Sequence, residues 1–285
     1  MTLEQLLNGI YCLGGVLLGD VADDWAQARR PLLAACLDSL MRRDHPTPSK
    51  RDGIPKAESS RVGDAGGEIT TYDALDPSLL SAVGNVYCQV KAWCAARLLA
   101  AASRQHGDPA TATAADDYAA LVAGSLVAAF DEDRGCFPAN RYEPLPSVVL
   151  ALLEPLAVPV SCGLGPVLTQ DQALMDCLRR HLLTCLAAPE LRHQSGGVRL
   201  SSTSENTWPS KLMLCLAVAE RCFQIDLEDE HRDLVTALCR WLQELSAAST
   251  IADQIRPDSE GVIGGAWYPR HITAAALLPG WHAKR

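Results

Sequence analysis

The sequence lacks the signatures of several common classes of protein. No two of its 11 cysteines are spaced as C-x-x-C, and their number is odd, so neither a disulfide framework nor a zinc site built on a cysteine pair is indicated. Buried reduced thiols, packed as small hydrophobes, are the alternative and predict a reducing compartment. No two histidines stand four residues apart and no Walker loop is present, so the sequence predicts no metal and no cofactor.

An excess of basic charge and long apolar runs are lacking as well. The 285 residues carry a formal net charge of −9, and nucleic-acid binding needs clustered Lys and Arg instead. No apolar stretch reaches the ~18 residues of a membrane span. Residues 1–20 have no basic start, and Glu4 and Asn8 interrupt their apolar run, so no signal peptide is predicted. We therefore expect a soluble, cytoplasmic protein with no nucleic-acid or membrane partner.

Helical periodicity dominates what is present. Apolar residues make up 48% of the chain, and in most segments they recur at the spacing of one helix face. The predicted helices cover residues 3–18, 24–43, 78–103, 113–130, 170–188, 209–223 and 227–247, with a short one from residue 272. Ser78 is the predicted N-cap of the third. Strand signals are few, so the prediction is an all-α chain.

Long polar loops interrupt this pattern after every second helix. They cover residues 44–67, 131–146, 189–207 and 251–270. This rhythm predicts helical hairpins stacked as an α/α toroid, with the long loops gathered at one end. Gly14 and Gly15 either weaken the first helix or let another helix approach it closely.

Asp73 is the first candidate for chemistry. It follows Thr71 and Tyr72 in a short polar segment that comes after a Gly-Gly pair and leads into a helix. A general acid needs a carboxyl that is held in place and whose pKa is raised by burial or by a nearby negative charge. The alternative is a loop aspartate that accepts hydrogen bonds from backbone amides.

Two other polar clusters are candidates for ligand binding. Hydroxyl and amide side chains at 201–207 precede the indole of Trp208, a combination suited to sugars; the alternative is a cap for the next helix. Asp253 and the segment 267–270, which ends at Arg270, have the groups to hold a polar ligand by paired hydrogen bonds. The alternative for this second cluster is a surface ion pair.

Several separated motifs resemble one family and occur in its order. The segment Glu68-Ile69-Thr70-Thr71-Tyr72-Asp73-Ala74-Leu75-Asp76, followed by Ser78-Leu79 and Asn85-Val86-Tyr87, is similar to the acid/base region of glycoside hydrolase family 52, the bacterial β-xylosidases. The other matching segments are 2–8, 42–46, 201–204, Trp208 with Ser210-Lys211, 253–255 and 268–270. The resemblance extends over nearly the whole chain.

The resemblance implies a fold and an architecture. Members of the family have an N-terminal β-sandwich followed by an (α/α)6 barrel. Residues 1–285 would be the C-terminal part of that barrel, a partial (α/α)6 toroid, without the sandwich and the first barrel helices. The glutamate nucleophile of the family would lie upstream of Met1, so the isolated chain is expected to be inactive.

It also implies a reaction and its residues. The family hydrolyses β-1,4-xylosides with retention, so the expected ligand is a xylo-oligosaccharide or a small β-xyloside, in the context of xylan degradation. Asp73 would be the acid/base and Thr71 its supporting neighbour. Trp208, Asp253 and Arg270 would line the sugar subsite.

Other interpretations stay open at the level of sequence. In these interpretations the chain is a non-catalytic helical-toroid remnant, a sugar-binding or scaffold protein, or a relative of the β-glucosidases. A half-barrel exposes a large apolar face, so we expect either a homodimer or association with a separate N-terminal half.

Overall fold

The computed structural model describes residues 3–55, 84–142, 147–192, 198–203, 209–229, 232, 254–255 and 262–263. Its helices are α1 (Leu3–Leu17), α2 (Asp23–Gln27), α3 (Arg30–Asp44), α4 (Val86–Gln105), α5 (Pro109–Val127), α6 (Ala157–Ser161), α7 (Gly165–Leu168), α8 (Gln172–Ala187) and α9 (Pro209–Phe223). Short 3₁₀ segments cover Pro48–Lys50, Leu150–Leu156, Thr169–Asp171 and Pro189–Leu191. Among the described residues, strands are limited to β1 (Gln254–Ile255) and β2 (Val262–Ile263), which pair antiparallel. The all-α prediction is confirmed.

Helix α4 is the centre of the described fold, because buried residues lie on all sides of it. Small alanine and cysteine side chains on α4 let neighbouring helices pack closely. One close approach is at Gly14 of α1, where an added Cβ would lie 3.2 Å from the Cβ of Leu98. The close contact predicted for the glycine pair of α1 is therefore confirmed for Gly14.

Helices α1 and α4 run parallel. Near their starts, the Glu4 carboxylate lies 3.6 Å from the Lys91 ammonium. Near their ends, the amide of Gln105 donates to the carbonyl oxygen of Leu17 at 3.3 Å. Both helices therefore begin at the same end of the molecule.

Helix α9 has the same direction as α4. Near the start of both, the Lys211 ammonium lies 6.0 Å from the centre of the Tyr87 ring. Further along both, burial raises the pKa of Cys94, and the nearby Cys222 adds a smaller increase. The 3₁₀ segment Leu150–Leu156 packs between α4 and α9.

Helix α5 runs antiparallel to α4 and belongs to a second layer. Arg97, late in α4, binds Asp116 at 2.7 Å, whereas Gln89, early in α4, binds Ser125 late in α5 at 3.1 Å. Helix α3 is antiparallel to α4 too, since it begins beside Gly107 and ends beside the loop that contacts Gln89. Along the chain, helices that run in the direction of α4 thus alternate with helices that run in the opposite direction, such as α3 and α5. Stacked hairpins are expected to show this alternation.

The described parts of two long loops, 44–67 and 131–146, lie at the end where α4 begins. The carbonyl oxygen of Gly53 accepts from Gln89 at 2.9 Å. The carbonyl oxygen of Ala139 accepts from Val86 N at 3.0 Å. The prediction that the loops gather at one end is thus confirmed for these two loops, whereas closure into an (α/α)6 barrel stays a prediction.

The start of α4 differs from the prediction. The predicted start at Ser78 lies outside the described residues, but a helix continuous from there into α4 is wrong, because Gly84 has a φ of +75° and Asn85 is extended. The side chain of Asn85 is the actual N-cap and accepts from Cys88 N at 2.9 Å. Helix α4 therefore begins eight residues later than the apolar spacing indicated.

Other boundaries agree more closely. The helix predicted for 24–43 is divided into α2 and α3 near Pro31, as a proline in its middle requires. The helix predicted for 227–247 falls almost wholly outside the described residues. Within the part of the chain that the structure describes, no helix is both long and apolar enough to cross a bilayer.

Candidate functional site

The residues predicted to carry the chemistry fall outside the described part of the chain. This applies to Thr71, Asp73, Trp208, Asp253 and Arg270. Their roles stay predictions, and the structure describes instead the residues on either side of the acid segment, which we define as residues 56–83.

Asp44 holds the chain just before the acid segment. It is 2% exposed, and its carboxylate accepts from the backbone N–H groups of Asp52 at 3.1 Å and Gly53 at 2.8 Å. The pKa of Asp44 is raised overall, because burial raises it by more than these two hydrogen bonds lower it. The aspartate at the end of α3 therefore fixes the loop that leads into the acid segment.

A network of side chains connects the two sides of the acid segment. On one side, Gln89 donates to the carbonyl oxygen of Gly53 at 2.9 Å and to the Ser125 hydroxyl at 3.1 Å. On the other side, Arg141 N donates to the carbonyl oxygen of Gly84 at 2.9 Å, and its guanidinium donates to the same Ser125 hydroxyl at 2.6 Å. Both sides are therefore anchored to the start of α4 and the end of α5.

The two glycines at these anchor points are required by their surroundings. A Cβ on Gly53 would lie 2.6 Å from the carbonyl oxygen of Leu121, and one on Gly84 would lie 2.5 Å from the ring of Tyr142. Both have a positive φ, +79° and +75°, which L-residues other than Asn and Asp rarely adopt. The backbone that delimits the acid segment is therefore closely packed on both sides.

The described part of the hydroxyl cluster pairs with the backbone before the 3₁₀ segment. Val149 and Ser201 form an antiparallel bridge. The Ser202 hydroxyl accepts from Val148 N at 2.9 Å, and the Ser201 hydroxyl accepts from Thr203 N at 3.3 Å. These hydroxyls contribute to local structure, which favours the structural interpretation for residues 201–203.

A buried charged cluster lies near the starts of α1, α4 and α9. Lys91 is 6% exposed, and its ammonium lies 3.3 Å from the Tyr87 hydroxyl and 3.6 Å from the Glu4 carboxylate. The Tyr87 hydroxyl donates to Glu154 at 2.5 Å. Four side chains from three elements therefore form one connected group, which we call the Lys91 cluster.

The electrostatics of the Lys91 cluster keep Tyr87 protonated. Burial raises the pKa of Tyr87 well above its usual range, and the charges of Glu154 and Glu4 add to this. Tyr87 is therefore a permanent hydrogen-bond donor to Glu154. Lys91 also lies over the rings of Tyr87 and Tyr11, at 5.2 and 5.7 Å from their centres, so two π faces help to accommodate its charge.

A cavity of about 180 Å³ opens beside the Lys91 cluster. It is formed by one face of α1 together with α4, the 3₁₀ segment Leu150–Leu156 and α6. Its lining includes Asn8, Tyr11, Cys12, Lys91, Glu154 and Val158. Asn8 and Cys12 are exposed, so the cavity is accessible from that side of the described fold.

The sequence alone does not predict the Lys91 cluster. A signal was present, since Lys91 and Glu154 are charged residues inside otherwise apolar runs. Charged side chains at such positions are buried on folding and must find partners. The pattern does not identify those partners, because they come from distant parts of the chain.

His181 is a buried histidine whose neighbours occupy both ring nitrogens. Phe137 N donates to Nδ1 at 3.1 Å, and Nε2 lies 2.9 Å from the carbonyl oxygen of Val149, so the neutral ring carries its proton on Nε2. Cys177 and Cys185 flank it on α8 at a spacing that metal sites use. Within the described residues, however, no group of three His, Cys, Asp or Glu side chains is placed to hold a metal ion.

The environment of His181 predicts a loss of stability in acid. Burial lowers the pKa of His181 to about 4, whereas the unfolded chain binds this proton near pH 6.5. The contribution of the neutral ring is therefore complete above pH 6.5 and is lost as the pH falls towards 4, by about 3 kcal/mol in total. In urea unfolding at pH 7 and pH 4.5, the drop in unfolding free energy should be about 2–3 kcal/mol smaller for His181→Gln than for the parent chain.

The matched control is His45→Gln, which replaces a less buried histidine at the end of α3. This variant keeps His181, so we expect its drop between the two pH values to exceed that of His181→Gln. Equal drops for His181→Gln and the parent would mean that His181 takes up its proton in the folded state as readily as in the unfolded one.

Comparison with known proteins identifies one relative that matches nearly the whole chain. Over 283 residues, which are 98% of this chain, the sequence is 32% identical to a β-xylosidase from Geobacillus stearothermophilus. The matched part is 39% of that protein, so the chain spans about two fifths of its relative's length. No family model matches the sequence. Among solved structures, an α-amylase from Clostridium perfringens matches with a TM-score of 0.43 and 12% identity, over 70% of this chain and 55% of that one.

Proposed function

Because this chain is related to a β-xylosidase, which is a glycoside hydrolase, we propose that it is the acid/base-bearing part of a β-xylosidase-type enzyme. The resemblance to β-xylosidases found in the sequence is confirmed by the 32% identity over 98% of the chain, and that identity is the observation that carries the proposal. The finer assignment, to glycoside hydrolase family 52, stays a prediction.

In this proposal Asp73 protonates the leaving oxygen of a β-1,4-xyloside and Thr71 supports it. The anchored backbone on both sides of the acid segment is consistent with this role, since a general acid must be held in position. Trp208, Asp253 and Arg270 would contact the sugar of a xylo-oligosaccharide or a small β-xyloside. No cofactor is needed for this chemistry.

Retention requires a second carboxylate, about 5 Å from the first, that attacks the sugar. We propose that this nucleophile comes from sequence outside these 285 residues. The enzyme would then be completed by an N-terminal part, either in the same longer chain or as a separate partner.

The experiment that tests this proposal uses two proteins. The purified chain alone should not hydrolyse 4-nitrophenyl β-xyloside. A chimera in which the chain replaces the matching segment of the Geobacillus β-xylosidase should hydrolyse it, because the relative supplies the second carboxylate. A folded chimera without turnover would contradict the proposal. Turnover by the chain alone would place both carboxylates within it.

The same assay separates the proposed enzyme from its alternatives. Turnover of 4-nitrophenyl β-glucoside by the chimera in preference to the xyloside would identify a relative of the β-glucosidases. Xylose binding by the chain that is lost on Trp208→Ala, combined with an inactive chimera, would identify a remnant that binds sugar at the predicted subsite.

A further inference from the structure

We propose that the cavity beside Lys91 binds a neutral polyhydroxyl compound of the size of a single sugar ring. The residues of this site are distinct from those proposed for catalysis, since none of them belongs to the acid segment or to the predicted sugar subsite. The site would hold a free pentose or pentitol, or the terminal unit of a short oligosaccharide.

The size of the cavity limits the ligand to a small molecule. Its volume of about 180 Å³ is well above the roughly 10–15 Å³ that one water molecule needs on the same measure. Pockets for drug-sized ligands begin at about 300 Å³. A single ring with its hydroxyl groups is therefore of a size that this cavity can hold.

The polar groups of the cavity supply both a donor and an acceptor. The Lys91 ammonium has three N–H groups, but among the described residues its hydrogen bond goes to the Tyr87 hydroxyl at 3.3 Å, and Glu4 lies beyond normal hydrogen-bond distance at 3.6 Å. Glu154 accepts from the Tyr87 hydroxyl with one oxygen, Oε2. A pair of neighbouring hydroxyls can accept from Lys91 and donate to Glu154 at the same time.

The charges around the cavity favour a neutral ligand over an ion. Lys91 lies beside the Glu4 carboxylate, Glu154 accepts from the Tyr87 hydroxyl that Lys91 also contacts, and the Lys211 ammonium lies 6.0 Å from the centre of the Tyr87 ring. An anion would meet Glu154, and a cation would meet the ammonium of Lys91. A polyol needs no net charge opposite it, and the ring of Tyr11 offers an apolar surface for its C–H groups.

The experiment is a calorimetric titration of the full chain with xylose and, separately, with xylitol and xylobiose. Sodium acetate and choline chloride serve as the anionic and cationic probes. Saturable heat with xylose or xylitol, and none with the two salts, is the expected result. Xylobiose distinguishes a site for a free monosaccharide, which would bind it more weakly, from one for an oligosaccharide end.

Three variants locate the binding. Lys91→Met removes the donor and should weaken xylose binding by about tenfold or more, since a hydrogen bond to a charged group is lost. Val158→Trp fills the cavity and should abolish binding even if Lys91→Met folds poorly. Val160→Trp is the matched control, because Val160 lies two residues along α6 and does not line the cavity; it should bind xylose as the parent does. Circular dichroism establishes that each variant is folded.

The proposal is overturned if neither xylose nor xylitol gives saturable heat, if acetate or choline binds instead, or if folded Val158→Trp binds xylose like the parent. It is also overturned if Asp73→Asn abolishes xylose binding while Val158→Trp keeps it, because the sugar would then occupy the acid site. Turnover is not measured, so an inactive chimera in the earlier assay has no bearing on this result.

Discussion

Replacing Arg97 by methionine should lower the free energy of unfolding by about 3–5 kcal/mol, as expected when one partner of a buried ion pair is removed. Arg97 is 4% exposed and binds both oxygens of Asp171, at 2.8 and 2.7 Å, and one oxygen of Asp116 at 2.7 Å. Trp93 also donates to Asp171, at 2.6 Å. The methionine would leave the buried carboxylate of Asp171 with the indole as its remaining partner among these groups.

Urea unfolding of the purified variant measures this loss. The matched control is Arg104→Met, seven residues further along α4, which removes the other arginine bound to Asp116. The side chain of Arg104 is 57% exposed, so its loss should cost at most about 1 kcal/mol. If the two variants lost equal stability, the buried pair with Asp171 would contribute no more than a surface ion pair.

Asp73→Asn in the chimera should lower kcat/KM for xylobiose by a factor of about 10²–10⁴, the usual contribution of a general acid. The amide keeps the shape of the side chain but has no acidic proton to transfer. A dinitrophenyl xyloside has a leaving group that departs without a proton, so its cleavage should be much less affected. A merely structural role for Asp73 would lower the rates for both substrates alike.

Asp76→Asn is the control for this prediction. Asp76 lies three residues after Asp73 in the same segment, and asparagine keeps the size of its side chain while removing the carboxyl group. We expect kcat/KM of this variant to stay within a few-fold of the parent for both substrates. If Asp76→Asn caused a large loss while Asp73→Asn stayed active on xylobiose, the acid would be Asp76 and not Asp73.

The helices with one apolar face could be predicted from the sequence, and the start of α4 could not. Helices α1 and α9 lie where the apolar spacing placed them, because burial of one face decides both the pattern and the structure. Before α4, the apolar spacing continues upstream through Leu79 and Val83. It does not register the positive φ of Gly84 or the capping side chain of Asn85, which together set the boundary.

The candidate sites also differ in whether they could be predicted from the sequence. Motifs that lie close together in sequence, such as the acid segment, could be found by spacing and by resemblance to a family. The Lys91 cluster could not, because Glu4, Lys91 and Glu154 are far apart in the chain and meet only after α1, α4 and the 3₁₀ segment have packed. A lone charge in an apolar run indicates that a partner exists, but its identity is a property of the tertiary structure.

The common direction of α1, α4 and α9 gives the molecule an electrical polarity. Each helix carries about half a positive charge at its first turn, and these first turns lie together at the end with the long loops. A carboxyl group placed there would ionise more readily than in water, which is the opposite of what a proton donor needs. A glycosidase built on this frame would therefore depend on the negative charge of its nucleophile twice, once to attack the sugar and once to keep the neighbouring acid protonated.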